Sequence, residues 1–560
     1  MKSFDEDQFL FLPLGGVGEI GMNLALYGYG TEEEREWIIV DVGVSFAGLE
    51  TPGADLILPD ISFIEKEKHN IKAIILTHAH EDHYGALLDL WPAIEAPVYC
   101  SAFTAHLLEA KRERDHKNVK LPIKIFKAGD KLKLEPFTIK VIQVNHSIPE
   151  AASLAIETPL GTAIHTGDWK IDKNPSLGDL TDQKAFKALG KNGVLALICD
   201  STNASRKSSD FSECDVEKSL RKIILNEEGR VAITTFSSNI GRIRSIALAA
   251  QEAGRKVLCV GRSMERTVGV AEELGYLKDV APFLSMDEYV STPRDKIVII
   301  LTGSQGEQRA ALTKLSRQEM RQFYLSQGDC VVYSSRDIPG NERAIIDTQN
   351  RLIDLGIKVI TDYDQLVHVS GHPGQDELKE MYQWTKPKIL IPVHGEPFHL
   401  SQHTDFAEKL GLQVLKNVRN GRLVKLAPGV PEIIDEVPVG YLYKDGKLIG
   451  REAELGIAER KKLSFVGHIC LNLLIDKKLY LVRDPQIVTL GLPQHDLEGD
   501  KIEDILMDIV EETFDNLSKE KKRDNNSIKE ACTRAIRSEI FSIWGKKPVV
   551  TCFVNRTAYN

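Results

Sequence analysis

The chain has 560 residues, 42% hydrophobic and 27% charged, which is longer than one core organises, so about three domains are expected. A formal net charge of −10 argues against indiscriminate nucleic-acid binding and confines any polyanion to a local site. No run of about 18 apolar residues argues for a membrane span, and the acidic N-terminus MKSFDEDQFLFLPL carries too short an apolar stretch for a signal peptide; a cytoplasmic protein is expected.

From residue 8 to about 200 the pattern is short Ile- and Val-rich runs broken by Gly, Pro and Asp: WIIVDVG (37–43), IKAIILT (71–77), TIKVIQV (138–144), GTAIHTGD (161–168) and VLALICD (194–200). Runs this short read as buried strands. The glycines at 16, 18 and 21 match a dinucleotide-binding fingerprint, with Asp41 as its acid. The fingerprint needs a helix at the glycines, whereas MNLALYGYG alternates like a strand, so tight turns are expected instead.

Between about 206 and 350 helical and strand patterns alternate, as in DVEKSLRKIILN, RVAITTF, KVLCVG, KIVIILTGSQGE and DCVVYSS, which argues for a parallel sheet with crossover helices. Here the charge is nearly balanced, 21 Lys+Arg against 20 Asp+Glu. After 351 short strands end in histidines, HVSGHPG (368–374) and ILIPVHGE (389–396). From about 441 two strand-like segments precede an apolar stripe, Ile502, Ile505, Leu506, Ile509 and Val510, and a helix over about 527–544 ending at Gly545; KEKKRDNNS between the helices reads as a solvated loop. The eight cysteines include no CxxC pair, so neither a cysteine zinc finger nor a disulfide framework is expected.

The stretch THAHEDHYGALL (77–88) places His78, His80, Asp82 and His83 within six residues at a strand end. Imidazoles and a carboxylate suit zinc, with manganese as the alternative. Four ligands are too many for one tetrahedral site that keeps a position open, so two adjacent cations are expected. His146, Asp168 and His394 follow other apolar runs and are the candidates to complete the set. His69, His106, His116, His399, His403, His468 and His495 read as ordinary hydrogen-bonded histidines.

HAHEDH with NHS, TGD and VHGE resembles the metallo-β-lactamase fold. PLGGVGEIGMN, DSTNA, FSSNIGRI, TGSQGEQ and HVSGH resemble its RNA-processing β-CASP branch, specifically the bacterial ribonuclease J family, in order along essentially the whole chain. The resemblance implies an α/β protein: a metallo-β-lactamase αββα sandwich (1–205 and 351–440) with an inserted α/β β-CASP domain (206–350), a linker (441–460) and a small α+β C-terminal domain (461–560).

It further implies one cation held by His78, His80 and His146 and another by Asp82, His83 and His394, with Asp168 bridging and Asp41 orienting a ligand histidine. Such cations, about 3.5–4 Å apart, activate water and offset charge on a phosphodiester. His372 would be the general acid, with Asp200 beside it and Asp82 contributing through the metal. Ser237, Ser238, Asn239, His368, Val369, Ser370, Gly371 and His372 would hold a phosphate of the RNA or its 5′ monophosphate. Arg242, Arg244, Arg262 and Arg266 either line that path or are solvated. Gly241 departs from the family, which often has a larger residue after FSSNI.

The implied activity is 5′-to-3′ hydrolysis of single-stranded, 5′-monophosphorylated RNA to 5′-phosphate products, with endonucleolytic cuts besides, in mRNA decay and rRNA maturation. The implied assembly is a homodimer or homotetramer, with partners such as a helicase left open and no membrane. The rivals are a small-molecule metallo-hydrolase, disfavoured by the inserted region, and a non-catalytic RNA-binding scaffold, disfavoured by the complete ligand set.

Overall fold

A computed structural model describes residues 6–48, 50–320, 323–338 and 340–557. The Ile/Val runs of the first 200 residues form buried strands in two sheets. One sheet has eight strands, in the order Glu432–Glu436, Arg422–Ala427, Gln8–Gly15, Leu24–Gly30, Glu36–Val40, Ile71–Ile75, Val98–Cys100 and Ile123–Ile125. The other has six: Pro387–Val393, Val194–Asp200, Gly161–His165, Ala152–Thr158, Phe137–Gln143 and Lys131–Leu134. One core lies between them, with Phe9, Phe11, Ile38 and Ile75 meeting Ile139, Leu154, Ile156 and Ile198. Each fully buried side chain of this size contributes about 1.5–3 kcal/mol. Helices cover the sandwich: Gln375–Thr385 packs on Gln183–Asn192, with Phe186 and Trp384 stacked, and Pro397–Lys409 packs on Pro387–Val393.

The inserted region forms a five-stranded, wholly parallel sheet, Lys256–Val260, Ile297–Leu301, Val231–Thr234, Cys330–Tyr333 and Lys358–Ile360, connected by helices such as Ile240–Glu252 and Glu342–Asp354. Its last strand lies beyond residue 350. The chain leaves the sandwich after Val194–Asp200 and returns as Pro387–Val393, and these two strands pair in parallel with Asp200 opposite Val393. The insertion therefore interrupts the sequence without breaking the sheet, and it brings Asp200 beside His394.

The described residues form two compact units, one within 1–45 and 58–440 and the other within 46–57 and 441–560. In the second, the stretch expected as a linker contains Tyr441–Asp445 paired with Leu448–Gly450. A three-stranded sheet, Gln486–Leu490, His468–Ile475 and Val549–Arg556, turns Ile469, Leu471, Leu473 and Ile475 onto Ile502, Leu506, Val510 and Phe514 of Ile502–Asp515 and onto Ile528, Cys532, Ile536 and Ile540 of Asn525–Trp544. The apolar stripe is thus this unit's own core. The lysine-rich segment is not wholly a loop. Lys519–Arg523 is a short helix, and Asp524 starts the next one by accepting from the amides of Asn526 and Ser527.

All eight cysteines are free. Among the described residues no helix is long and apolar enough to cross a membrane.

Candidate metal centre

Beyond Ile71–Ile75 the chain runs to His80, whose backbone is extended, and then makes a single helical turn, Glu81–Tyr84, that carries Asp82 and His83. His78 Nε2 and His146 Nε2 each come within 3.0 Å of His80 Nδ1. The far nitrogen of each ring is held by the protein. Thr77 Oγ1 is 3.0 Å from His78 Nδ1, Ser238 Oγ is 3.1 Å from His80 Nε2, and the Gly371 carbonyl accepts from His146 Nδ1 at 2.6 Å. These contacts aim three imidazole nitrogens at one point. Gly371 is needed there, because a Cβ would stand 2.9 Å from the His146 ring.

A second group meets the first through Asp168. His83 Nε2 lies 3.3 Å from Asp168 Oδ2 and 3.6 Å from Asp82 Oδ2, while His394 Nε2 lies 3.6 Å from Asp168 Oδ1 and 3.8 Å from Asp82 Oδ2. Asp168 Oδ2 is also 3.7 Å from His78 Nε2 and 3.5 Å from His146 Nε2. Within each group, His78, His80, His146, Asp168 and Asp82, His83, Asp168, His394, the ligand atoms all lie within 4.8 Å of one another. All seven residues read from the sequence as metal ligands are therefore brought together.

The electrostatics suit cations. Burial, then the charge of neighbouring imidazoles, holds His78 and His146 well below the usual histidine range, and burial pulls His80 down to about 4, so these rings are neutral, the form in which a histidine can bind a metal. Burial also works against a charge on His83, but Asp168, Asp82 and Asp41 outweigh it and favour positive charge there. A dication satisfies the same field. Asp168 Oδ1 is buried without a hydrogen-bond partner, which is costly unless something electropositive faces it. The donor set and this orphaned oxygen together fit divalent metal ions.

Asp41 stands behind the second group. Its Oδ2 accepts from His83 Nδ1 (2.7 Å) and Thr77 Oγ1 (2.8 Å), and its Oδ1 accepts from the Thr77 amide (2.7 Å). Asp41 and His394 both occupy the left-handed region, φ 63° and 52°, a conformation costing about 1–3 kcal/mol that tends to persist at functional sites. Asp41→Ala is expected to leave the fold intact and to weaken metal affinity about 10–100-fold, read by titrating the stripped protein with zinc. Unchanged affinity would reduce Asp41 to a turn residue.

His372 lies beside the two groups, its Nδ1 2.8 Å from Asp200 Oδ2 and 3.8 Å from Asp168 Oδ2. Burial lowers its proton affinity, but Asp200 and then Asp168 raise it further, to about 9. Thr202 fixes Asp200, donating to Oδ1 from its amide (2.8 Å) and hydroxyl (2.7 Å). Asn203 Nδ2 fixes the HVSGH turn, donating to Ser370 Oγ (2.7 Å) and the His372 carbonyl (3.2 Å). Val369 is buried in this turn. His368 Nδ1 is buried without a partner.

In the FSSN turn, Ser237 and Ser238 precede Ile240–Glu252, and Asn239 caps that helix by accepting from the Arg242 amide (2.9 Å). Arg242 does not line an RNA path. It is buried, with Nη2 2.8 Å from Glu213 Oε2 and Nη1 donating to Ser334 Oγ (2.7 Å) and the Val367 carbonyl (3.0 Å). Arg244 pairs with Asp279. Gly241 faces the 175–179 loop, and a Cβ there would meet Ser176 Oγ at 2.9 Å. That loop occupies the space of a larger residue.

Sequence reading assigned no role to Asn23, Thr77 or His165. Asn23 Oδ1 lies 2.9 Å from His394 Nδ1, and its Nδ2 reaches the Asp82 carbonyl (3.1 Å). The only signal for it is its place in GEIGMN. The glycine turn before it carries no helix but supports His394, whose amide donates to the Gly16 carbonyl (2.7 Å). Gly16 has φ +80°, and a Cβ on it would collide with the Asn23 side chain. His165 is buried and bonded to Tyr27 Oη (2.9 Å). His403 is structural, held between Ser201 (2.8 Å) and Tyr382 (2.6 Å).

Fold and site together define a metal-dependent hydrolase of the metallo-β-lactamase fold carrying a β-CASP insertion. Family models agree segment by segment: a beta-lactamase superfamily domain matches 36–186, the ribonuclease J beta-CASP domain 228–352, a Zn-dependent metallo-hydrolase RNA specificity domain 356–417 and the ribonuclease J C-terminal domain 455–557. A ribonuclease J of Sinorhizobium meliloti is 55% identical over 551 residues, 98% of each chain. A ribonuclease J of Corynebacterium glutamicum is 36% identical over 96% of this chain and 74% of its own, and ribonuclease J2 of Bacillus subtilis 32% identical over 98% and 99%. The chain belongs to the ribonuclease J family: it is a metal-dependent ribonuclease of RNA processing, with RNA as its substrate. A solved structure of a protein of unknown function from Enterococcus faecalis V583 shares the fold, with TM-score 0.52 and 16% identity over 75% of this chain and all of that one.

Proposed function

We propose that the enzyme degrades single-stranded RNA 5′ to 3′ from 5′-monophosphorylated ends, with endonucleolytic cuts as a second mode, in cytoplasmic mRNA decay and rRNA maturation. The observation that carries this reading is the convergence of two ligand groups on Asp168 beside the His372–Asp200 pair. We assign two zinc ions, with manganese as the alternative, to His78, His80, His146 and to Asp82, His83, His394, with Asp168 shared. When bound, such cations activate water and offset the charge that builds on the phosphodiester.

The protein's own groups do the rest. Asp200 orients His372 so that the imidazole can donate a proton to the departing 3′ oxygen of the upstream ribose. The hydroxyls of Ser237, Ser238 and Ser370 and the HVSGH turn, His368 to His372, receive a phosphate. The outer face of the C-terminal sheet, where Val488, Leu490 and Phe553 are exposed, supports a homodimer or homotetramer, and the size of the full chain in solution reads this directly.

The test compares 3′-labelled RNA bearing a 5′ monophosphate or a 5′ triphosphate. The monophosphate substrate is expected to disappear faster by about tenfold or more, a difference of about 1.4 kcal/mol. Equal internal cutting of both would discard the 5′ pocket, and 2′,3′-cyclic phosphate ends would discard hydrolysis by activated water.

A further inference from the structure

Residues 117–133 contain six lysines and one aspartate in a chain of net charge −10, and the fold gathers them on one side of the sandwich. Ile123–Ile125 is the terminal strand of the eight-stranded sheet and Lys131–Leu134 that of the six-stranded sheet, so the connection at 126–130 steps from one open sheet edge to the other. Lys117, Lys120, Lys124, Lys127, Lys131 and Lys133 are all exposed. Along the last strand Leu132 and Leu134 pack on the core while Lys131 and Lys133 alternate outward. The one aspartate, Asp130, is turned onto the Lys127 amide at 2.8 Å. Among the described residues no carboxylate forms an ion pair with Lys117, Lys120, Lys127, Lys131 or Lys133. Lys124 instead lies over the Tyr99 ring and donates to its hydroxyl.

At Lys127 this edge meets a cavity that reaches one histidine of the metal centre, His146. Phe126, Lys127 and Ala128 line a cavity of about 330 Å³ whose walls also include Asn145, His146 and Asn239. Lysines on open strands also keep a sheet from pairing with another chain. That accounts for Lys124, Lys131 and Lys133, but Lys117, Lys120 and Lys127 lie outside the strands.

We propose that this lysine edge is a track for the RNA backbone, holding phosphates of the substrate outside the metal centre. Exposed ammonium groups recognise phosphates as point charges without reading sequence, which suits an enzyme that must accept successive nucleotides. The inference rests on RNA being the substrate but not on the 5′ pocket.

The test measures affinity of the full chain for a labelled, unstructured 30-nucleotide RNA and for a pentanucleotide, with turnover stopped by chelator. It compares wild type, the Lys120→Gln/Lys127→Gln/Lys131→Gln protein and the same triple changed to Arg. The Gln triple is expected to weaken 30-mer binding about tenfold relative to the pentamer and to flatten the slope of log Kd against log salt by about two, since each lost phosphate contact removes about 0.7. The Arg triple is expected to match wild type. An unchanged 30-mer affinity and salt slope in the Gln triple would overturn the proposal, as would equal losses in the Gln and Arg triples. With divalent metal restored in place of the chelator, a wild type that binds the 30-mer but fails to hydrolyse it would count against the catalytic reading alone.

Discussion

Replacing Asp168 with asparagine is expected to lower RNA hydrolysis by about 10³-fold or more and to leave fewer than two cations bound per chain. Both oxygens of this carboxylate are committed: Oδ2 faces His78, His83 and His146 at 3.3–3.7 Å, and Oδ1 faces His394 at 3.6 Å. An amide keeps the shape but turns an N–H toward positions where positive charge is to be held, and it removes the one negative charge shared by both ligand groups. Burial works against that charge, yet His394, His83 and His372 hold Asp168 well below the usual carboxylate range, so it is ionised whenever the enzyme works. Metal analysis of the purified variant beside its turnover number reads both effects. Full metal content with near wild-type rate would show that the two groups bind independently and that the bridge is unnecessary. The expected loss exceeds that of Asp41→Ala, because Asp41 meets the two groups only indirectly, through the His83 nitrogen turned away from the centre and through Thr77.

The parts of this site that were legible in the sequence are those with short spacing or a strand behind them. His78, His80, Asp82 and His83 announce themselves because chain geometry alone forces them together. His146, Asp168 and His394 each follow an apolar strand, Phe137–Gln143, Gly161–His165 and Pro387–Val393, and in an α/β sheet strand ends are where ligands gather. The supporting contacts were not legible. Asn23 reaches His394 across 371 residues of sequence, and Ser238 reaches His80 across 158, so neither leaves a local pattern. The Gly371 carbonyl that aligns His146 is a backbone atom and has no sequence signature. Arg242 looks like a surface arginine at the start of a helix, yet its acceptors come from Glu213, Ser334 and Val367, a set that only the parallel sheet of the insertion assembles. Likewise the grouping of 46–57 with 441–560 joins segments too distant for any periodicity to connect.

The His372→Ala protein is expected to keep its metal content and to lose about 10²–10⁴-fold in kcat on RNA, because the site would then lack a proton donor for a strongly basic ribose oxygen. The pH profile separates this role from simple packing. A general acid acts in its protonated form, and Asp200 at 2.8 Å helps raise His372 to about 9 despite burial, so the wild-type rate should fall as pH rises through that range. Bound cations oppose the imidazolium, which places the descending limb at or below about pH 9, and His372→Ala should lack it. Asp200→Asn should keep the limb but shift it to lower pH, since the neutral amide no longer favours the charged ring. A phosphodiester with a nitrophenolate leaving group needs no proton, so on that substrate the His372→Ala protein should approach wild type. Equal losses on RNA and on the nitrophenyl ester would instead assign His372 to holding the phosphate, the role proposed for the rest of its turn.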